Sequence, residues 1–115
     1  MKTLEIKIWL DDIRPMPIDQ GYNVHITKAY IMYLFVKKFG SKITFISFDH
    51  DLGTEKTGYD IAKEIEAQAQ IGIKPPDYEI HSANPVGRKN IMEAMVSAER
   101  LYNLYLQSIK DLKND

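Results

Sequence analysis

The chain has 115 residues, of which 15 are basic and 16 acidic, giving a formal net charge of −1. That balance excludes a global electrostatic signature for nucleic acid or an anionic membrane surface, and the length fits one domain able to bury its own core. The absence of cysteine excludes disulfides and thiolate metal sites. Apolar residues make up 44% and charged residues 27%, and no apolar stretch approaches the length of a membrane span. Met1-Lys2-Thr3-Leu4-Glu5 lacks the apolar core of a signal peptide, so a cytoplasmic location and no membrane partner are expected.

Leu4 to Leu10 reads as a first strand, with Ile6, Ile8 and Leu10 alternating with Lys7 and Trp9. Pro15 and Pro17 forbid regular helix over residues 13–21, and Gly21 marks a turn before a short second strand from Tyr22 to Ile26. Thr27 is the expected N-cap of a helix from Lys28 to Phe39, with Gly40 as its stop and Ile31, Leu34 and Phe35 as its apolar stripe. Ile43 to Phe48 is an apolar, β-branched run expected to be buried on both faces. A polar loop from Gly53 to Gly58 leads to a helix over about Tyr59–Ile71, with Ile61, Ala62, Ile65 and Ala69 inward. Gly72 ends that helix, Pro75-Pro76 prevents its return, and Asp77 to Ser82 is a fourth strand.

Asn84-Pro85 then looks like an N-cap with proline at the first helical position. This last helix continues to about Leu112, a length on the order of 40 Å. Its distal part either wraps the core after a kink or meets a second copy in a homodimer. The order strand-loop-strand-helix-strand-helix-strand-helix predicts a small open α/β sheet of four parallel strands, with right-handed crossovers and helices packed on its faces.

Three strands end in polar groups. Ile6–Leu10 runs into Asp11-Asp12-Ile13-Arg14, Ile43–Phe48 into Asp49-His50-Asp51, and Tyr78–Ile80 into His81-Ser82-Ala83-Asn84. Ligands of open α/β sheets bind at the carboxyl ends of the strands, so the three exits are expected to build one site. Adjacent carboxylates repel unless a cation neutralises them, and oxygen donors of this kind suit Mg²⁺; a cluster of His and Asp leaves Mn²⁺ and Zn²⁺ open. His50 and His81 suit proton transfer near neutral pH, phosphate binding or metal ligation. Ser82, Asn84, Gly87 and Arg88 surround a helix N-terminus, a natural anion site, and Arg14 either holds an acidic partner or binds phosphate.

These motifs resemble the receiver domain of response regulators, in which an acidic pair follows strand one, a phosphoacceptor Asp ends strand three and Ser or Thr ends strand four. The matching positions are Asp11-Asp12, Asp49 and Ser82. The chain departs from receivers in the Pro-containing loop that replaces the first helix, and in lacking a fifth strand with its lysine. A closer resemblance is to a receiver-derived family predicted to process cyclic phosphates. It rests on Leu10-Asp11-Asp12-Ile13-Arg14, Asp49-His50-Asp51-Leu52-Gly53, Thr57-Gly58-Tyr59-Asp60 and His81-Ser82-Ala83-Asn84-Pro85-Val86-Gly87-Arg88-Lys89-Asn90.

The resemblance implies a metal-dependent phosphoesterase acting on a cyclic phosphate, either a small molecule such as a cyclic nucleotide or an RNA end. In that reading Asp11, Asp12 and Asp49 hold a divalent cation, and Asp51 orients His50 or completes the metal shell. His50 and His81 act as general base and acid. Arg14, Ser82, Asn84 and Arg88 bind phosphate oxygens, and a covalent route through Asp49 stays open. The alternative is a non-catalytic receiver-like binding or signalling module.

Overall fold

The computed structural model describes residues 5–53 and 55–114. Leu4, the expected start of the first strand, and Thr54, in the expected polar loop, lie outside them. The elements follow as β1 (Ile6–Leu10), β2 (Val24–Ile26), α1 (Ala29–Phe39), β3 (Ile43–Phe48), α2 (Gly58–Gln70), β4 (Asp77–Ile80) and α3 (Pro85–Lys113). The strands form one sheet in the order β2-β1-β3-β4, every pair parallel. This is the receiver-like α/β architecture expected from the sequence, with a long C-terminal helix.

Crossover handedness decides where the connections lie. The steps β2 to β3 and β3 to β4 both move the same way across the sheet, so right-handed connections put α1 and α2 on one face. The step β1 to β2 moves the opposite way, and the same rule sends residues 11–23 over the other face. A parallel crossover needs about a dozen residues, and this loop is just long enough without a helix. α3 packs against α2, so all three helices share one face, where the sequence led us to expect helices on both.

The helix-side core unites Ile8, Leu10, Ile46 and Phe48 of the strands with Met32, Val36, Ile61, Ile91 and Met95 of the helices. On the opposite face Tyr22 packs edge-on against Trp9 and Phe45, at centroid distances of 5.3 and 6.1 Å. Lys7 donates to the Gln20 carbonyl at 2.6 Å. The proline-containing loop thus takes the place of a covering helix.

Local departures from expectation have local causes. α1 begins after Lys28, not Thr27, and carries no side-chain cap. It buries Ala29, Met32 and Val36, while Ile31 and Leu34 are 47% and 44% exposed. Apolar residues occupy most sides of this helix, so the pattern could not name the inner face. Gly40 caps α1 as expected and also opens a 3₁₀ turn over Gly40–Lys42. The Gln68 side chain, which donates to the Val36 carbonyl at 3.0 Å, fills the space a Cβ at position 40 would need. α2 starts at Gly58 because Thr57 and Asp60 form a capping box, and Ile61, Ala62, Ile65 and Ala69 are buried as expected.

α3 is one unbroken helix of 29 residues, about 43 Å at 1.5 Å per residue. Asn84 caps it by accepting from the Gly87 N–H at 2.9 Å, with Pro85 in the first turn, as the sequence predicted.

Candidate active site at the carboxyl ends of the strands

The three strand exits meet because the ladder continues one residue past each strand. The N–H of Asp11 donates to the Ile26 carbonyl at 3.1 Å, that of Asp49 to Leu10 at 3.0 Å, and that of His81 to Phe48 at 2.9 Å. Asp11, Asp49 and His81 therefore stand level along the carboxyl edge of the sheet. One oxygen each from Asp11, Asp12 and Asp49 lies within 4.8 Å of the others.

Asp11 is fully buried, and its acceptor positions are filled. Oδ1 accepts the N–H groups of Ile13 and Arg14, both at 2.7 Å, which folds residues 11–14 into a tight turn. Oδ2 accepts from the Arg14 guanidinium at 3.1 Å and from His81 Nε2 at 2.8 Å. Burial acts to raise the pKa of Asp11. The N–H groups of Arg14 and Ile13, then His81 and the Arg14 side chain, outweigh it and hold the carboxyl below its ordinary value.

Asp49 is also buried, but it is shifted upward, by burial first and then by the charge of Asp11. The Asp51 N–H, His81 and Arg14 oppose that rise without cancelling it. The Arg14 guanidinium stands 4.0 Å from Asp49 Oδ1 and bridges the two carboxylates from a half-exposed position. Asp12 differs from both, since its Oδ1 is buried with no hydrogen-bond partner.

His81 is held on three sides. Its ring stacks on Trp9 at 4.0 Å with an interplanar angle of 6°. Nε2 faces Asp11 Oδ2, and Nδ1 lies 2.7 Å from Ser47 Oγ. Ser47 Oγ donates to Glu79 Oε1 at 2.9 Å, and the same oxygen accepts the Tyr22 hydroxyl at 2.5 Å. The hydrogens can be assigned from this pattern. A carboxylate only accepts, so Nε2 carries a hydrogen toward Asp11. Ser47 Oγ stands between Nδ1 and Glu79 Oε1 and so links the ring to a second carboxylate. The Tyr22 bond first, and Ser47, His81 and Lys7 after it, hold the Glu79 carboxyl below its ordinary value against the opposing effect of burial. The Tyr22 phenol is pushed up to about 12, by burial first and then by Glu79.

His50 lies at the start of α3, where its ring fills the space that a Cβ on Gly87 would need. Its Nδ1 is buried without a partner, and its carbonyl accepts the Gly58 N–H at 3.0 Å. Gly58 in turn lies so close to the Asp49 carbonyl that a side chain there would collide with it. Glycines at 58 and 87 thus let the β3 exit seat itself between the starts of α2 and α3.

The remaining predicted residues lie around that helix start, and their contacts are to the protein itself. Ser82 is buried and accepts the Asn84 N–H at 3.1 Å. Asn84 caps α3 and places its amide nitrogen 3.5 Å from Asp51 Oδ2. Asp51 is exposed and stands outside the acidic cluster, to which it contributes its N–H. Arg88 donates to the carbonyls of Ile80 and Ser82, at 2.9 and 3.2 Å, and so braces the turn from β4 into α3.

Sequence reasoning did not find Trp9, Ser47, Glu79, Tyr22 or His25, whose Nε2 lies 3.0 Å from the Asp11 carbonyl. A signal for three of them was present. Trp9, Ser47 and Glu79 each stand two residues before a strand exit, and the parallel register sets Trp9 beside Ser47 and Ser47 beside Glu79.

No curated protein and no solved structure matches the chain. A family model does, over residues 6–97, from the first residue of β1 well into α3. That span contains every residue of the cluster just described, and the chain belongs to the cyclic-phosphate processing receiver domain family.

Proposed function

We propose that the protein is a divalent-cation-dependent phosphoesterase that opens a cyclic phosphate by adding water. What carries this reading is Asp12 Oδ1, buried and unpartnered beside the carboxylates of Asp11 and Asp49. Burying an anionic oxygen with no donor is costly, and crowding three carboxylates adds to that cost. An all-oxygen donor set fits a hard cation such as Mg²⁺. With the acceptor positions of Asp11 filled by the protein, Asp12 and Asp49 carry the free oxygens and would hold the ion, with Asp11 behind them. A cation bound there supplies charge neutralisation at the phosphoryl group and a more acidic water.

The chain's own residues account for the rest. Arg14 stands at the rim with part of its guanidinium free, suited to a non-bridging phosphate oxygen. The N-terminus of α3 adds its positive dipole end to the same side. In the reaction the oxygen of water bonds to phosphorus, one ring P–O ester bond breaks, and the released alkoxide takes a proton. The products are a phosphomonoester and a free hydroxyl. His50, whose ring is not tied down by hydrogen bonds at Nδ1, handles that proton. His81, engaged at both nitrogens, is a positioning residue.

Hydrolysis of 2′,3′- and 3′,5′-cyclic nucleotides and of cyclic-phosphate-ended RNA, with Mg²⁺, Mn²⁺ or Zn²⁺ and with chelator, tests the reading. Turnover lost on chelation and in both Asp12→Asn and Asp49→Asn is expected. Turnover that survives chelation or both substitutions refutes it, and saturable binding without turnover would establish a binding module instead.

A further inference from the structure

The chain of contacts Tyr22–Glu79–Ser47–His81–Asp11 crosses the sheet on the face that carries no helix. It begins in the proline-containing loop, passes through β4 and β3, and ends on the acidic cluster at the exit of β1. Its links measure 2.5, 2.9, 2.7 and 2.8 Å. Asp11 Oδ1 in turn fixes the N–H groups of Ile13 and Arg14. The turn so formed carries Asp12 and Arg14, the two residues of that segment with free capacity toward a ligand. Trp9 ties the same turn from the other side, stacking on His81 while its Nε1 donates to the Arg14 carbonyl at 3.1 Å.

We propose that Tyr22, Glu79 and Ser47 are positioning residues for the cation site: through His81 they fix the Asp11 carboxylate, and through it the turn that presents Asp12. This rests on the cation-site reading above and extends it to residues that touch neither ion nor substrate. Three features argue for a positioning role over simple packing. Glu79 is exposed, so little packing is at stake in its side chain. Ser47 is a fully buried hydroxyl between the apolar Ile46 and Phe48, which only its two polar contacts justify. The four links run unbroken from Tyr22 to the acidic cluster, so each polarises and strengthens the next.

The test is Mn²⁺ affinity by titration calorimetry, alongside folding stability in urea and the emission of Trp9, the one tryptophan of the chain. Ser47→Ala and Glu79→Ala are expected to bind Mn²⁺ about tenfold more weakly, the low end of the range for groups that orient metal ligands. Tyr22→Phe should lose less, since it removes only the outermost link. Ser47→Thr, which keeps the hydroxyl, should restore binding. Phe45→Leu is the control; it removes packing against Tyr22 without touching a link, and should lose stability while keeping both affinity and Trp9 emission. In Ser47→Ala and Glu79→Ala the emission of the cation-free protein should change as His81 is released beneath the indole. Parent-like affinity in Ser47→Ala and Glu79→Ala, or an equal loss in Phe45→Leu, would overturn the positioning role alone. No Mn²⁺ binding by the parent protein would refute the cation site itself, and the role of the chain with it.

Discussion

Replacing Asp49 by Asn should stabilise the cation-free protein and remove its response to Mg²⁺. At 4.8 Å, two like unit charges repel by about 3.5 kcal/mol at an effective dielectric of about 20. The Arg14 guanidinium, 4.0 Å from Asp49, opposes this repulsion. Its side chain is 48% exposed, however, and exposed pairs retain only about 1 kcal/mol or less. The upward shift of Asp49, led by burial and then by Asp11, gives the same sign: its charge is a net burden on the cation-free fold. After the loss of the Arg14 attraction, the expected gain from Asp49→Asn is about 2.5 kcal/mol, a rise in melting temperature of about 10 °C for a domain of this size. Saturating Mg²⁺ at a hundred times its dissociation constant should stabilise the parent by about 2.7 kcal/mol. The variant should gain almost nothing. Thermal unfolding followed by circular dichroism, with chelator and with Mg²⁺, reads both effects. A variant less stable than the parent in chelator, or one that gains as much from Mg²⁺, would refute the reasoning.

Three further outcomes are expected. Arg14→Gln removes a cation that stands between Asp11 and Asp49, so Mg²⁺ should bind more tightly in calorimetry while KM for the cyclic phosphate rises. Gly87→Ala places a methyl group on the His50 ring, at a cost of about 1–3 kcal/mol for overpacking; kcat should fall, and unchanged turnover would remove His50 from the mechanism. Tyr22 should titrate at about pH 12 against an ordinary 10.0, and Tyr22→Phe should delete that step from a phenolate absorbance titration. Because the folded protein raises this pKa, the stability contributed by the Tyr22 phenol is complete below pH 10 and is lost as pH rises toward about 12.

Much of the fold was legible because its signals are local. Asn84-Pro85 announces α3, Pro75-Pro76 separates α2 from β4, and the β-branched run Ile43–Phe48 declares a central strand. The acidic cluster was legible too, since residues just past strand ends of a parallel sheet must share an edge. The face of α1 was not, because Ile31 and Leu34 offer an apolar stripe as good as the one formed by Met32 and Val36. The direction of each histidine was equally hidden. Whether His50 turns to Gly87 or His81 to Ser47 depends on which neighbour leaves room, and that is settled only by tertiary packing. Glu79 reads as an ordinary exposed residue of an edge strand until the register shows Ser47 beside it.

The bond from Tyr22 to Glu79 spans 57 residues of sequence. It reaches from the segment leading into β2, at one edge of the sheet, to β4 at the other, passing over β1 and β3. Edge strands are ordinarily the first to fray, each on its own schedule. Here the margins are laced together, so detaching the short β2 also withdraws the Tyr22 donor from Glu79 on β4. Amide exchange at the two edges should therefore follow a common opening event, and the stability of the smallest strand becomes a property of the whole sheet.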